Sequence, residues 1–194
     1  MRRRILLVSA AIGMGLAFSS PAVSGAQVPQ DSVTGAGLIV GAGFGVDARS
    51  GPSGENPTGT AIVRSSPVLG FSVEGPVTCL NVTGNRAVIG FANTLGDAFL
   101  GVGGFIEVTD GTPDTFTFTL IASGEPPTVC PPTLGIGGSA LGLGDVVVVD
   151  APALPTSKDQ CKNGGWQSFG VFKNQGDCIS FVETGGKNPP AGTP

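Results

Sequence analysis

The sequence predicts a mainly β protein: an antiparallel β-sandwich or barrel-like body followed by a small, disulfide-stapled helical module. Three observations carry this expectation. From Gln27 to Asp150, short runs rich in Val, Ile, Phe and Thr are punctuated by Gly, Pro, Asn and Asp. No apolar residues recur at helical spacing before residue 155, once the N-terminal segment is set aside. After Pro152 the composition changes: residues 157–182 hold the only Trp, two of the four Cys and three of the Phe residues.

The N-terminal segment reads as an address. Arg2, Arg3 and Arg4 precede an uncharged apolar run, Ile5 to Phe18, and Ser24-Gly25-Ala26 supplies small residues before Gln27. This is the layout of a secretory signal peptide over residues 1–26, cleaved after Ala26. A membrane-spanning helix needs about 20 apolar residues; this run is shorter and is interrupted by Gly13 and Gly15. The residues after the arginines do not complete a twin-arginine motif. No later segment is apolar enough to span a bilayer, so the expected mature chain, 168 residues from Gln27, is a secreted extracellular protein without a membrane span.

The body, residues 27–150, divides into strands near 33–48, 59–65, 68–74, 77–83, 86–92, 103–109, 115–122 and 145–150. Thr115-Phe-Thr-Phe-Thr-Leu120 is the clearest, with Phe116, Phe118 and Leu120 on one face and threonines on the other. Asp110-Gly-Thr-Pro-Asp114 between two runs reads as a hairpin loop, and Asn81-Val-Thr-Gly84-Asn85 as a strand end and turn. The mature chain has 30 Gly, which disfavours long helices and suits tight turns and bulges. Regularly spaced strands without intervening helices give a sandwich or barrel. Pro126-Pro127 and Pro131-Pro132 place Cys130 on a stiff loop. Leu134 to Gly144 fits either a bulged strand or a loop.

Residues 151–156 form a linker, and residues 157–186 the module. Ser157 with Gln160 three positions on has the form of a capping box, and Gly164-Gly165 would stop that helix. Asn174 is placed to cap a second helix that runs through Cys178 and Phe181 to Gly185-Gly186. Neither is long enough to be stable alone. Residues 187–194 read as a disordered tail. Four cysteines in an exported chain imply two disulfides. The composition break favours Cys79–Cys130 and Cys161–Cys178, whose loops would stabilise by about 4 and about 3 kcal/mol on the chain-entropy model.

Ser157-Lys-Asp-Gln-Cys-Lys-Asn-Gly-Gly-Trp166 together with Phe172-Lys-Asn-Gln-Gly-Asp-Cys178 resembles a C-terminal signature of uncharacterised secreted bacterial proteins, some of them labelled post-COAP domain proteins. The stretches 50–59, 75–89 and 145–155 are similar to members of the same group. The resemblance implies secretion and a β-rich body, and it brings no catalytic residues with it.

Composition narrows the chemistry. The mature chain carries 7 basic and 14 acidic residues, a net charge of −7, which argues against nucleic acid and anionic membranes. The body holds −8 of this and residues 154–194 carry +1. There is no His, so the usual base of Ser and Cys triads and the commonest zinc ligand are missing. No nucleophile elbow, P-loop or Gly-x-Gly-x-x-Gly is present, and no cofactor or metal is implied.

What remains is a set of carboxylates and a set of aromatics. Asp97, Glu107, Asp110, Asp114 and Asp145 are the acids from which a glycosidase-type pair would be drawn, although solvated turns are the commoner home of such residues. The Asp110–Asp114 loop offers oxygen ligands for calcium but lacks the spacing of a recognised site, so it reads as a turn. Trp166, Phe169 and Phe172 form either an aromatic binding platform or the core of the module, and a stapled unit this small needs its apolar residues for packing. Asn81-Val-Thr83 matches a glycosylation sequon at a strand end. The expected function is therefore a secreted, non-catalytic structural or binding β-domain with an extracellular partner such as a cell-wall or matrix polymer. A secreted hydrolase using a carboxylate pair is the alternative.

Overall fold

The computed structural model describes residues 28–65, 70–95 and 101–192. The proposed signal peptide, Asp97 and residues 193–194 lie outside this range, as does the start of the strand expected near 68–74. The body is a single antiparallel sheet built from β1 (Asp31–Ile39), β2 (Ala42–Ser50), β3 (Thr58–Ser65), β4 (Ser72–Thr83), β5 (Arg86–Ala92), β6 (Gly103–Thr109), β7 (Thr115–Ile121), β8 (Ser139–Ala140) and β9 (Leu143–Val149). The strand order is β8-β7-β6-β5-β4-β3-β2-β1-β9, so β1 to β7 form a meander and β9 returns to pair with β1.

Two segments differ from their expected form. The strand expected over 33–48 is a hairpin: Ile39 pairs with Ala42, and Gly41 takes φ 85° in the turn, a conformation that costs a residue without Cβ little. The strands expected at 68–74 and 77–83 are one, β4. Pro76, which reads as a break, is accommodated because β4 begins to pair with β5 only at Val77.

The sheet curls on itself into a half-barrel. Phe44 of β2 stacks on Phe116 of β7 with ring centroids 4.2 Å apart and planes 5° from parallel. Four strands separate β2 from β7 in the sheet order, so only a curled sheet brings these rings together. The concave side holds one core, with Val33, Val46, Val63, Val73, Ile89, Phe91, Ile106, Val108 and Val146 all buried. Strand alternation supplies these positions, and a bulge corrects it once. The β4–β5 register shifts between Val77 and Cys79. The extra residue, Thr78, lets Val77 and Leu80 both face the core while Cys79 turns to the convex side.

On that convex side the chain from Glu125 to Gly138 lies as a strap over β4, β5 and β6. Cys79 is bonded to Cys130, the pairing expected from sequence. Around this disulfide, Val88, Phe105 and Leu134 form a second apolar cluster. Thr78 Oγ1 donates to Pro127 O, and Asn81 Nδ2 donates to Cys130 O at 3.4 Å.

The ends of the sheet meet through aspartates. Val146 N and Val148 N on the outer edge of β9 donate to Asp114 Oδ2 (2.9 Å) and Asp110 Oδ2 (3.2 Å) in the β6–β7 loop. Gly84 N, in the β4–β5 turn, donates to Asp150 Oδ2 at 2.6 Å. Carboxylates thus satisfy backbone N–H groups that a further strand would otherwise take.

The C-terminal module has a core of its own, formed by Cys161, Phe172, Cys178 and Phe181. Helix α1 spans Lys158–Cys161, a 3₁₀ turn Gly165–Phe169, and helix α2 Gln175–Glu183. The expected caps are in place. Gln160 Oε1 accepts from Ser157 N at 3.0 Å, and Asn174 Oδ1 accepts from Asp177 N at 3.0 Å. Cys161–Cys178 ties α1 to α2 with Cα atoms 5.7 Å apart. Residues 187–192, read from sequence as disordered, fold back on the module: Ala191 N donates to Asp177 Oδ2 (3.0 Å) and Gly192 N to Val171 O (3.1 Å). Pro190 is buried.

Candidate functional site

The convex face of β9, β1, β2 and β3 has no covering strap among the described residues. Register sets out its outward residues in rows. Leu143, Leu38, Gly43 and Arg64 form one row; Asp145, Ala36, Gly45 and Ile62 the next; Val147, Thr34, Asp47 and Thr60 the third. Leu143, Leu38, Val147 and Val149 remain 69%, 53%, 46% and 48% exposed, and Val40 at the hairpin tip is fully exposed. These exposed apolar residues share the face with Asp145, Thr34 and Asp47, which separate Leu143 and Leu38 from Val147 and Val149.

Within this face a cleft of about 610 Å³ runs along β2. Gly43 and Gly45 floor it. Leu38 and Ala36 line the β1 side, and Ile62 and Arg64 the β3 side. The side chains of Leu38 and Ile62 lie close over these glycines. A Cβ on Gly43 would sit 2.6 Å from Leu38 Cδ2, and one on Gly45 would sit 3.1 Å from Ile62 Cγ2. Arg64 is 67% exposed and pairs loosely with Glu74 at 3.9 Å. In the third row, Asp47 pairs with Arg49 at 3.6 Å.

The aromatics singled out from sequence lie elsewhere. Phe172 is 1% exposed, packs edge-on to Phe169 and contacts Phe181, so it is a core residue and is withdrawn from any binding platform. Trp166 and Phe169 are half-buried against the same cluster. Two of the module's lysines pair within it, Lys158 with Glu183 at 2.5 Å and Lys162 with Asp159 at 2.8 Å.

The candidate acids are dispersed in role. Glu107 is nearly buried and anchors the strap: its carboxylate accepts from Leu134 N (2.5 Å) and Thr133 Oγ1 (3.1 Å), with Arg86 Nε at 3.5 Å. It borders a polar cavity of about 320 Å³ lined with Thr109, Thr115 and Thr117. Asp110 and Asp114 hold β9, which is the turn role rather than a calcium loop, and Asp114 Oδ1 also accepts from Gly111 N at 2.9 Å. Asp145 lies on the convex face opposite Ala36. No cluster of three or more His, Cys, Asp or Glu suited to a metal ion occurs among the described residues.

One acid escapes the sequence reading. Asp31 is 2% exposed at the start of β1, on the same face as Val33, and accepts from Ala151 N at 2.8 Å. Burial pushes its carboxyl up to about 6; the bond from Ala151 opposes this, and the charges of Asp150 and Glu55 add to it. The signal was present in the alternation, since a residue two before a buried Val shares its face. Asp31 thereby fastens the first residue of the linker to the body. Beyond it, a cleft of about 660 Å³ separates body from module, bordered by Glu55 on one side and Phe181 and Lys187 on the other.

The two disulfides fit an oxidising, extracytoplasmic setting. Among the described residues no helix is long and apolar enough to cross a membrane. No family model matches the chain, and neither the curated proteins nor the solved structures contain a significant match to it.

Proposed function

We propose that this chain is an exported, non-catalytic bacterial β-domain of the group its C-terminal signature resembles, and that it binds a cell-wall or matrix polymer through the convex face of β9, β1, β2 and β3. The observation that carries the reading is the exposure of four aliphatic side chains, Leu38, Leu143, Val147 and Val149, on one face beside a glycine-floored cleft, on a body that is otherwise acidic. The commitment of Glu107, Asp110 and Asp114 to backbone N–H groups favours binding over hydrolysis, because a catalytic carboxylate has to be free to meet substrate.

Co-sedimentation of the purified mature protein with insoluble cell walls, chitin and cellulose tests this. Saturable binding is expected, and a Leu38→Ser, Leu143→Ser double variant should lose most of it while keeping its unfolding midpoint. Absence of saturable binding, or binding that the double variant leaves intact, refutes the reading. Release of soluble product that Glu107→Gln abolishes would instead establish the hydrolase.

A further inference from the structure

We infer that the polar cavity between the strap and the convex side of β5, β6 and β7 binds one neutral sugar ring, a pyranose unit whose hydroxyls meet a set of threonines. This site lies in the other half of the strand order from the β9-to-β3 face and does not depend on that reading. Register places its side chains. Arg86, Thr109 and Thr115 stand side by side across β5, β6 and β7, and Glu107 and Thr117 are opposite each other in the next row of the same face. All five line the cavity, which has a volume of about 320 Å³. Neighbours on one face of a sheet are about 5 Å apart across strands and about 7 Å apart along a strand, so the three threonine hydroxyls fall within the span of a single ring. The strap closes over them: a Cβ on Gly138 would come within 2.9 Å of Thr115 Oγ1.

The chemistry of the lining selects the ligand. Among the described residues no protein group bonds to the hydroxyl of Thr109, Thr115 or Thr117. A hydroxyl both donates and accepts, so three free ones suit a ligand that carries the same group, and an apolar ligand would leave all three unpaired. The charged groups of the cavity are Arg86 and Glu107, and they offset each other, with Arg86 Nε 3.5 Å from Glu107 Oε1. An anion would meet the Glu107 carboxylate and a cation the Arg86 guanidinium, whereas a neutral ligand meets no uncompensated charge. Glu107 is already committed to Leu134 N and Thr133 Oγ1. Arg86 engages it through Nε, which leaves the terminal guanidinium N–H groups to donate to ring oxygens. Ile136, 47% exposed on the strap, borders the cavity and offers an aliphatic surface to the C–H groups of the ring. Free hydroxyls, a balanced charge pair and one aliphatic side chain match the mixed surface of a sugar.

Heteronuclear NMR titration of the purified mature protein with methyl glucoside, methyl galactoside and methyl N-acetylglucosaminide tests the inference, with sodium sulfate as the anionic comparator. Saturable shifts are expected at the amides of Thr109, Thr115 and Thr117 with at least one glycoside, and weaker binding or none with sulfate. Thr115→Val and Thr117→Val each remove a hydroxyl while keeping the β-branched shape that suits a strand. Each should weaken that glycoside about three- to tenfold, the worth of one neutral hydrogen bond. Thr119→Val, on the same face of β7 but outside the cavity, should leave the affinity unchanged. An unfolding midpoint equal to that of the wild type in all three variants shows that the losses are local. No saturable shift with any of the glycosides, an affinity unchanged in both cavity variants, an equal loss in Thr119→Val, or tighter binding of sulfate overturns the inference. The Leu38→Ser, Leu143→Ser double variant should bind the glycosides as the wild type does. Polymer sedimentation therefore reports on the β9-to-β3 face and the glycoside titration on this cavity, and either can fail without the other.

Discussion

Replacing Asp31 by Asn tests the energetics of the body most directly. Its carboxyl is buried, and burial raises its pKa from an ordinary 3.8 to about 6. In the unfolded chain the group ionises near 3.8, whereas in the folded chain it stays protonated until about pH 6. Between those values the folded state therefore holds the extra proton, and stability falls as pH rises through the window. The contribution is fully present below pH 3.8 and lost above about 6. A tenfold difference in proton affinity between folded and unfolded chain is worth about 1.4 kcal/mol, so the ionised Asp31 costs on the order of 3 kcal/mol at neutral pH. An Asn side chain is uncharged throughout and still presents an oxygen to Ala151 N, which now donates at 2.8 Å. Asp31→Asn is expected to match the wild type near pH 3.5 and to exceed it by up to about 3 kcal/mol at pH 7.5. Urea unfolding followed by far-ultraviolet circular dichroism at both pH values measures this. A difference between variant and wild type that is the same at both pH values refutes the reasoning, as does a variant less stable at pH 7.5.

The other predictions concern the aspartate seam, a close backbone approach and the module. Asp114→Ala leaves the N–H of the buried Val146 without its acceptor and should cost about 1–3 kcal/mol in urea unfolding, whereas Asp145→Ala on the exposed face of the same strand should stay within about 0.5 kcal/mol. Gly75→Ala places a Cβ 1.8 Å from Ala92 O, a backbone atom that cannot swing aside, and should lower the thermal midpoint by more than any exposed substitution; a midpoint within about 2 °C of wild type would contradict the packing described. Removing Cys161–Cys178 by a double Cys→Ala change should melt the helical signal of the module and leave the β transition of the body in place, because the two cores share no residue. Trp166 packs within the module, so its emission maximum should be the same in the isolated module and in the full protein; a red shift on isolation would show that the body covers it.

What the sequence revealed and what it concealed differ by physical scale. Features decided within a few residues were legible. The alternation of Phe116, Phe118 and Leu120 marks β7, Asp110 to Asp114 marks the loop before it, and Ser157, Gln160 and Asn174 mark the helix starts. Features decided by register were not. Val40-Gly41 carries no strong turn signature, so the hairpin between β1 and β2 reads as one long strand. Pro76 looks like a break because its tolerance depends on where β5 begins to pair. Gly43 and Gly45 look like part of a general glycine bias; they become the floor of a cleft only when pairing sets them between Leu38 and Ile62. Phe172 is indistinguishable from Trp166 and Phe169 until packing buries it.

The four consecutive valines of β9 bring these scales together. An unbroken apolar run predicts a strand covered on both faces. β5 fulfils that rule: Ala87, Val88, Ile89, Gly90 and Phe91 are all buried, because the curled sheet covers one face and the strap held by Cys79–Cys130 covers the other. In β9 the rule is met by halves. Val146 is 1% exposed on the concave side, while Val147 and Val149 stay nearly half exposed on the convex side. Polar residues at those two positions would have served a solvated face equally well, as the threonines of β7 do on theirs. The sequence of β9 thus matches an environment that the described residues of the body do not provide, and burying Val147 and Val149 against a ligand surface would complete for β9 what the strap completes for β5. That is why the proposed binding is assigned to the convex face of β9, β1, β2 and β3 rather than to the aromatics of the module.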